Sequence, residues 1–435
     1  MIARIVLLVV VLAASACTAL ASGDTTTSAP PTTTTTPSTT STTTTTTSTT
    51  TTTTTTTIPV YDLAGVVTDP EGRPVTNAVV TVDGTSVLTD AEGSFSVSEV
   101  VAGPVAVNRP AHLGTAVMWD GEPELAITLE RDPFVTRAIR VSRYVASDPE
   151  MYDDLLELVA ATGINSLVFD TKDETGSVVY DTAVEEAHRL GAVDVVYDPV
   201  AYLEAAREAG LYTITRVVSF EDRVRVKADP DSKLIGQWVD ITNEANWEYL
   251  LDLGVEACEL GFDEIQFDYI RFPAGITGAA LRNRGTFTSE DRLAAVTGFL
   301  REAGNRIHPL GCAISADVFG IVLSSPTDEG IGQRPEEVSY VVDYISPMLY
   351  PSHYSPGTLG YEDPNSAPGP IISWALDKGL PRLEGGAVMR PWLQAFYYNG
   401  TQIGAEIFES EERGVGWMLW NAGGEYARSW LPDPE

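Results

Sequence analysis

An acidic residue ends an apolar stretch of the sequence, which is an unfavourable place for a charge. The stretch is GFDEIQFDYIRFP, residues 261–273, and it contains Asp268, with Arg271 shortly after it. A buried carboxylate costs free energy unless it is paired or used. Two interpretations follow: a structural ion pair between Asp268 and Arg271, or a carboxylate held at a reaction site.

The alternation of residue types within this stretch predicts which way Asp268 points. Successive side chains of a β-strand face opposite sides, so Ile265, Phe267 and Tyr269 share one face and Gln266 and Asp268 share the other. We assign the first face to packing against helices and the second to the interior of a barrel. Asp268 would then emerge at the carboxyl-terminal rim, where barrel enzymes hold their catalytic groups.

Other predicted strands also end in polar or aromatic residues, in the segments VFDTKDETG, ISADVFG, YISPMLYPSHY, RPWLQAF and GWMLWN. A core that served stability alone would not need these residues, so we expect them to form one site. The candidate catalytic residues are Asp268, Asp317 and Asp170. The candidate substrate-binding residues are Lys172, Asp173, Arg216, Arg271, Tyr350, His353, Gln394, Trp417 and Trp420.

This mixture of aromatic rings, carboxylates and hydrogen-bonding groups is typical of a carbohydrate site, because rings stack on sugar C–H faces and polar groups bind hydroxyls. Paired carboxylates hydrolyse glycosidic bonds, one as nucleophile or base and the other as acid. We assign Asp268 as nucleophile or base and Asp317 as acid, with Asp170 as the alternative catalytic carboxylate. The sequence leaves both retaining and inverting spacings open. Only some of the aromatic candidates are expected to be sugar platforms: Tyr350, Trp392, Trp417 and Trp420.

Strand-like segments alternate with helix-like segments from about Val135 onward. The turn after the first strand, Ser147-Asp148-Pro149-Glu150, predicts a helix start. Eight such units predict a (β/α)8 barrel. An open doubly wound sheet is the alternative, disfavoured because no glycine-rich phosphate loop follows the first strand. The predicted strands cover residues 138–143, 166–170, 212–217, 264–268, 313–317, 344–346, 391–393 and 416–419.

Residues 58–132 have a different pattern, in which short β-branched runs are separated by turn sequences such as Asp83-Gly84. This pattern predicts a small antiparallel β-sandwich. The sequence GVVTDPEGRPVTNAVVTV, followed by TDAEGSF, resembles the carboxypeptidase regulatory-like β-sandwich. The resemblance implies a spacer or a weak binding unit.

The N-terminus has the features of a signal peptide over residues 1–22: a basic start, an apolar run and small residues. Cys17 closes a sequence that resembles a bacterial lipobox, which would make it a lipidated N-terminus; the alternative cleavage site follows Ala19-Leu20-Ala21. Residues 23–57 are mostly Thr, Ser and Pro, which predicts a disordered linker. We expect an exported protein, either a cell-surface lipoprotein or a secreted one, whose only membrane contact is a lipid anchor.

The composition of the chain disfavours several classes of partner. Its 435 residues include 61 acidic and 27 basic side chains, a net charge of −34. This charge repels nucleic acid and anionic lipid and suits neutral or cationic material. No two of the four histidines are spaced in the sequence as metal ligands usually are, which disfavours a metal site. We expect a monomer with no cofactor and no metal.

Cys258 and Cys312 are far apart in the sequence. In an oxidising compartment they could form a disulfide. The alternative, which we favour slightly, is that both are buried thiols acting as small apolar residues.

The predicted barrel domain covers residues 135–432, and within it the region from about residue 136 to residue 430 closely resembles the putative glycosyl hydrolase domain family of bacterial barrel proteins. The motifs VFDTKDETG, GFDEIQFDYIRFP, SADVFG, GIGQ, VDYISPMLYPSHY, RPWLQAF and GWMLWN occur in the family's order. The resemblance implies a TIM barrel with glycosidase activity. It also implies that the family's recurrent acidic positions are Asp170, Asp268 and Asp317.

A more distant resemblance is to chitinase-type barrels, whose fourth strand ends in a sequence similar to GFDGIDIDWEYP. Where chitinases have the catalytic Glu, this chain has Ile270, which argues against substrate-assisted chemistry. In the α-galactosidase-like barrels the nucleophile is an Asp at the end of strand four, which agrees with Asp268 as the principal carboxylate. The rival hypothesis is a carbohydrate-binding barrel or wall-associated scaffold without turnover.

Overall fold

The computed structural model describes residues 58–434. The predicted signal peptide with its lipobox Cys17, and the Thr-rich linker at residues 23–57, lie outside this range. Within residues 58–434, no helix combines the length and the apolar character that crossing a membrane requires.

Two small sheets form the N-terminal part of the described chain. One has the order β4-β1-β7 and the other β3-β2-β5-β6, and residues from both share one apolar core. The strands are β1 (Tyr61–Thr68), β2 (Val79–Val82), β3 (Thr85–Leu88), β4 (Ser94–Val100), β5 (Pro104–Asn108), β6 (Thr115–Met118) and β7 (Glu124–Thr128).

The local sequence explains the tightest hairpin of this sandwich. Asp83 and Gly84, between β2 and β3, both have positive φ, 48° and 76°, which a two-residue hairpin turn requires. The pairings are antiparallel except that β7 runs parallel to β1. This exception arises because the chain visits the second sheet between β4 and β7 and returns to the edge of β1 in the same direction.

A closed barrel of eight parallel strands, one of them in two pieces, follows the sandwich. Its strands are β8 (Arg137–Arg140), β9 (Ser166–Lys172), β10 (Tyr212–Val218), β13 (Glu264–Asp268), β14 (Ala313–Phe319), β15 (Tyr344–Leu349), β16 (Val388–Met389) with β17 (Trp392–Gln394), and β18 (Trp417–Trp420). The loop after β10 adds a two-stranded ribbon, β11 (Lys233–Ile235) and β12 (Trp238–Val239). Pairing of β18 with β8 and of β14 with β15 completes the ring. The predicted (β/α)8 architecture is confirmed.

Helices connect the strands and cover the barrel. Their starts follow local capping chemistry: the Asp148 side chain caps the helix that begins at Pro149, and Thr288 with Asp291 forms a capping box. The helices are α1 (Arg143–Ala146), α2 (Pro149–Ala160), α3 (Glu185–Leu190), α4 (Pro199–Glu208), α5 (Arg223–Ala228), α6 (Glu248–Leu260), α7 (Gly275–Arg282), α8 (Ser289–Ile307), α9 (Pro335–Val338), α10 (Pro368–Gly379) and α11 (Gly400–Glu411).

The residues of β13 alternate between the barrel interior and the helix layer. Glu264, Gln266 and Asp268 bond to groups inside the barrel, at successive levels from its amino-terminal to its carboxyl-terminal end. Ile265 and Phe267 are fully buried in the core beneath the helices. The strand therefore delivers Asp268 to the carboxyl-terminal mouth of the barrel.

The sandwich packs against the opposite, amino-terminal end of the barrel. Asp343, immediately before β15, is fully buried and accepts hydrogen bonds from Arg109 of the sandwich and from His308 Nε2, the latter at 2.9 Å. Arg131 of the sandwich donates to the carbonyl of Gly386, shortly before β16. Burial alone would raise the pKa of Asp343, but Arg109 and His308 hold it well below its usual range.

Cys258 and Cys312 form a disulfide between α6 and the segment that precedes β14, with their Cα atoms 5.9 Å apart. The expectation of two buried thiols was therefore wrong. Both positions are buried, as expected, but the packing of α6 against β13 and its neighbour brings the two thiols together, which their separation of 54 residues does not reveal.

Reduction of this disulfide is expected to destabilise the barrel. Closing a loop of 54 residues restricts the unfolded chain by about 4 kcal/mol in the loop-entropy model. We expect a melting temperature lower by several degrees for the Cys258→Ser, Cys312→Ser double variant, measured by scanning calorimetry. A reductant should lower the melting temperature of the wild type and leave that of the double variant unchanged; a wild type insensitive to reductant would contradict the prediction.

Candidate active site

Asp268 is held in a buried cluster of charges at the mouth of the barrel. Arg216, on the neighbouring strand β10, donates from Nε and Nη2 to Asp268 Oδ2 at 2.9 and 2.8 Å. The same guanidinium donates from Nη1 to Asp170 Oδ1 at 3.0 Å and to Glu174 Oε2 at 3.2 Å. Such charge-assisted bonds fix the three carboxylates in position.

Asp317 stands beside Asp268, on strand β14. Phe267 and Ala316 are register partners of β13 and β14, so the two carboxyls occupy the next position on adjacent parallel strands. Asp317 is 1% exposed, and its carboxyl accepts a hydrogen bond from Trp392 Nε1 at 2.9 Å. Burial, and then the charge of Asp268, raise the pKa of Asp317 well above its usual range. The pair therefore combines an ion-paired carboxylate with a carboxyl that favours its protonated form.

The backbone turns sharply directly after Asp268. Tyr269 adopts φ of 54°, and its N–H donates to Asp268 Oδ1 at 2.6 Å. This left-handed residue ends the alternation of β13, so the Tyr269 side chain lines the mouth of the barrel. Its assignment to the helix-facing side was wrong for that reason.

A cavity of about 630 Å³ opens above the two carboxyls. Asp268 and Asp317 both line it, and its walls are largely aromatic. Rings bordering a pair of carboxyls give the cavity the stacking surfaces and the polar groups that sugar binding requires. The rings include Tyr269, Phe319, Tyr350, Trp374, Trp392 and Trp420.

Arg271 lines this cavity but does not pair with Asp268, contrary to one expectation. Its guanidinium carbon lies 4.3 Å from the ring centroid of Phe319 and 4.6 Å from that of Trp238. Its Nη1 donates to the Phe272 carbonyl at 3.1 Å. Asp268 instead pairs with Arg216, because a strand neighbour reaches it more directly than a residue beyond the Tyr269 turn.

Tyr350, His353 and Trp420, predicted as substrate-binding residues, also line the cavity. The Tyr350 ring packs edge-on against His353 at a centroid distance of 5.1 Å. Burial, followed by the charge of Asp317, raises the pKa of Tyr350, and burial lowers the pKa of His353. Trp420 packs beneath Arg216, whose guanidinium carbon lies 5.0 Å from the Trp420 ring centroid.

Asp170 lies next to the cavity without lining it. It is 3% exposed, and its two oxygens bind Arg216 and Arg140. Its position supports the cluster that holds Asp268 rather than direct contact with a substrate.

Lys172 and Asp173, predicted to bind substrate, are occupied elsewhere. Lys172 is fully buried, donating to the Val218 carbonyl at 2.7 Å and pairing with Asp222 at 3.0 Å. An irregularity in the pairing of β9 with β10, opposite Val217, moves Lys172 off the face of the strand that Asp170 uses. Asp173 caps its own turn and pairs with Arg143 at 2.8 Å.

Gln394 and Trp417 likewise point away from the cavity. Gln394 Oε1 accepts from the N–H and the hydroxyl of Ser352, at 3.1 and 2.8 Å, and its Nε2 donates to Asn365. These bonds hold the loop that presents Tyr350 and His353. Trp417 is fully buried in the helix-facing core, because it lies one residue out of phase with the interior positions of β18.

Several residues of the site were missed, among them Arg140 and Trp374. Arg140 donates to Asp170 Oδ2, and its guanidinium carbon lies 4.3 Å from the ring centroid of Trp420. It ends β8, but the predicted first strand continued to residue 143, so Arg140 was not recognised as a strand end. Trp374 lines the cavity from α10. Its sequence neighbourhood, IISWALDKG, is that of an ordinary amphipathic helix and carries no signal. Among residues 58–434, no group of three or more His, Cys, Asp or Glu side chains could hold a metal ion.

Comparison with known proteins gives one match to a family model. Residues 138–426 match the family described as putative glycosyl hydrolase domain. No curated protein matches the sequence.

Several solved structures resemble the chain. A hypothetical protein from Ruminiclostridium thermocellum ATCC 27405 is 28% identical, with 41% of this chain and 97% of that chain covered and a TM-score of 0.36. The chitobiase of Flavobacterium johnsoniae is 13% identical over 70% of this chain and 48% of that chain, with a TM-score of 0.44. The glycoside hydrolase domain of PelA from Pseudomonas aeruginosa is 11% identical over 67% and 96%, with a TM-score of 0.40.

Proposed function

The chain belongs to the putative glycosyl hydrolase domain family, and from that membership we propose that its barrel hydrolyses glycosidic bonds in an oligo- or polysaccharide. The observation that carries the proposal is the pair Asp268 and Asp317, which open on one cavity from adjacent strands in different electrostatic environments. Two carboxyls with separated roles are the requirement for acid-assisted cleavage of a glycosidic bond.

In the proposed reaction Asp317 donates its proton to the glycosidic oxygen as the bond to the anomeric carbon breaks. Its buried position favours the protonated form that this step needs. Asp268, aligned by Arg216 and by the Tyr269 N–H, acts on the anomeric carbon as nucleophile or through a water as base. Tyr350, Trp392 and Trp420 would provide faces for sugar rings, and Arg216 and His353 would bind hydroxyls.

The proposed location is outside the cell, on a tether. A disulfide such as Cys258–Cys312 persists in oxidising compartments, which supports export. We propose that Cys17 is lipidated and that residues 23–57 are a linker between the anchor and the folded part. Residues 58–132, proposed as a carboxypeptidase regulatory-like spacer, pack on the barrel end opposite the cavity and so leave the cavity accessible.

Turnover of a glycan panel tests the proposal. Wild-type protein is expected to release new reducing ends from at least one neutral, cationic or mixed polysaccharide, with a turnover on the order of 1–10³ s⁻¹. The Asp268→Asn, Asp317→Asn double variant is the control for contaminating hydrolases. Proton NMR of the first product anomer would distinguish retention from inversion.

A specific result would favour the rival function. Saturable glycan binding by wild type without release of reducing ends would indicate a carbohydrate-binding barrel or wall-associated scaffold. Equal release by wild type and double variant would also remove the catalytic assignment.

A further inference from the structure

Two arginines, Arg216 and Arg271, line the wall of the cavity, although the chain as a whole carries −34. Arg216 forms ion pairs with three carboxylates, those of Asp268, Asp170 and Glu174. Its guanidinium is therefore already engaged.

Arg271 is the arginine of the wall without an ion pair of its own. Arg216 is neutralised directly by its bonds to carboxylates, whereas no carboxylate in residues 58–434 forms an ion pair with Arg271 within 4.0 Å. Asp268, the carboxylate that acts on Arg271 most strongly, pairs with Arg216, and Glu221 accepts a hydrogen bond from Gln237. The side chain of Arg271 is nonetheless 7% exposed. A cation so deeply buried without an ionic partner is an unusual and costly arrangement.

The surroundings of Arg271 hold its guanidinium rigidly at the cavity wall. The rings of Trp238, Tyr269 and Phe319 lie 4.6, 5.1 and 4.3 Å from the guanidinium carbon, so cation–π contacts support the charge. One hydrogen bond, from Nη1 to the Phe272 carbonyl, fixes its rotation. A planar fork fixed in this way is preorganised to donate two parallel hydrogen bonds to two oxygens of one anionic group.

We propose that Arg271 forms an acidic-sugar subsite: the cavity accepts a glycan in which one sugar next to the cleavage site carries a carboxylate or sulfate group. This inference rests on the proposed function, which it makes more specific. The sequence-based expectation of a neutral or cationic substrate therefore changes for one sugar of the glycan only. The strongly acidic surface disfavours a long polyanion, so the acidic sugars should be separated by neutral ones.

Binding by a turnover-deficient chain tests this subsite. The full-length Asp317→Asn protein would be titrated calorimetrically with two tetrasaccharides: one that alternates glucuronate with N-acetylglucosamine, and a singly sulfated galactose tetrasaccharide. Each is compared with its carboxyl-reduced or desulfated counterpart, which differs only in the charge. At least one acidic member should bind about 10- to 100-fold more tightly than its counterpart, as expected for a hydrogen bond to a charged group, and the arm that shows this identifies the anion.

Substitutions of Arg271 give the decisive comparison. In the Asp317→Asn protein, the further substitution Arg271→Gln should bring the affinities for the charged and uncharged forms to within about threefold of each other. Arg271→Lys keeps the charge without the planar fork and should retain part of the preference. Arg189→Gln, at an exposed arginine of α3, is the matched control and should change nothing. Melting curves confirm that each variant is folded.

Three results would overturn the subsite: equal affinity for charged and uncharged members, a preference that survives Arg271→Gln, or no binding of any acidic member. The outcomes separate this inference from the proposed function. If the wild type shows an Arg271-dependent preference but no turnover, the hydrolase proposal is removed and the subsite is kept. If it turns over uncharged glycans and shows no preference for acidic ones, the subsite is removed and the hydrolase proposal is kept.

Discussion

Asp317→Asn is expected to lower kcat/KM on a natural glycan by about 10²- to 10⁴-fold, the usual contribution of a positioned general acid. The amide has nearly the same shape, and its oxygen can still accept the Trp392 hydrogen bond that Asp317 accepts at 2.9 Å. The fold should therefore survive, and the loss should come from the missing proton. An aryl glycoside with an acidic leaving group needs little protonation, so the variant should lose much less activity on it.

The pH profile of the wild type should show the same carboxyl. Burial and the neighbouring Asp268 raise the pKa of Asp317, and the acid works only while protonated. Activity should therefore be present below this raised pKa and fall as the pH rises through it. Asp317→Asn should lack that alkaline limb, as measured by initial rates across the pH range.

The companion variant Asp268→Asn should be inactive on both types of substrate, because a good leaving group does not replace the nucleophile or base. Asp377→Asn, at an exposed ion pair with Arg413, is the matched control and should keep wild-type rates. An Asp317→Asn enzyme that retained the alkaline limb, or lost no more than threefold in kcat/KM, would show that Asp317 is not the acid.

Asp343→Ala is expected to cost about 3–5 kcal/mol in the free energy of unfolding, the range for removing one partner of a buried ion pair. Asp343 is fully buried, and its carboxylate serves Arg109 and His308 and accepts the N–H of Ile314 at 2.9 Å. Without it, Arg109 and Arg131 would be buried cations lacking their shared counter-ion. Urea unfolding would measure the loss, and a separate early transition would indicate that the sandwich has lost its attachment to the barrel.

Acid should weaken the same contact in the wild type. The folded-state pKa of Asp343 is depressed, so its contribution is complete above the unfolded value of about 3.9 and is lost as the pH falls through the folded value. The pKa of His112 is lowered to about 4, mainly by burial and then by Arg131. Stability should therefore already decline as the pH falls from the ordinary value of 6.5 to about 4.

Asp120→Ala, at an exposed site on the sandwich, should change the free energy of unfolding by less than about 0.5 kcal/mol. A similar loss from Asp343→Ala and from Asp120→Ala would contradict the role assigned to Asp343.

Local sequence patterns determined the barrel and the position of its principal residues. The period of two along GFDEIQFDYIRFP assigned Asp268 to the interior and Ile265 and Phe267 to the helix layer, as the structure has them. Parallel strands of a barrel end at a common rim. For that reason the polar ends of separate strands could be grouped, and Asp268 and Asp317 do share one cavity.

Only the tertiary structure decided how each side chain at the rim is used. A pairing irregularity in β9 turned Lys172 outward, and a left-handed Tyr269 turned an expected core ring into the cavity wall. Trp374 entered the site from a helix far along the chain, and the disulfide joined cysteines 54 residues apart. The alternation of side chains between the two faces of a strand is a local property of the backbone, so it can be predicted from the sequence. Irregularities of register and contacts between distant segments depend on how whole elements pack, so short patterns do not encode them.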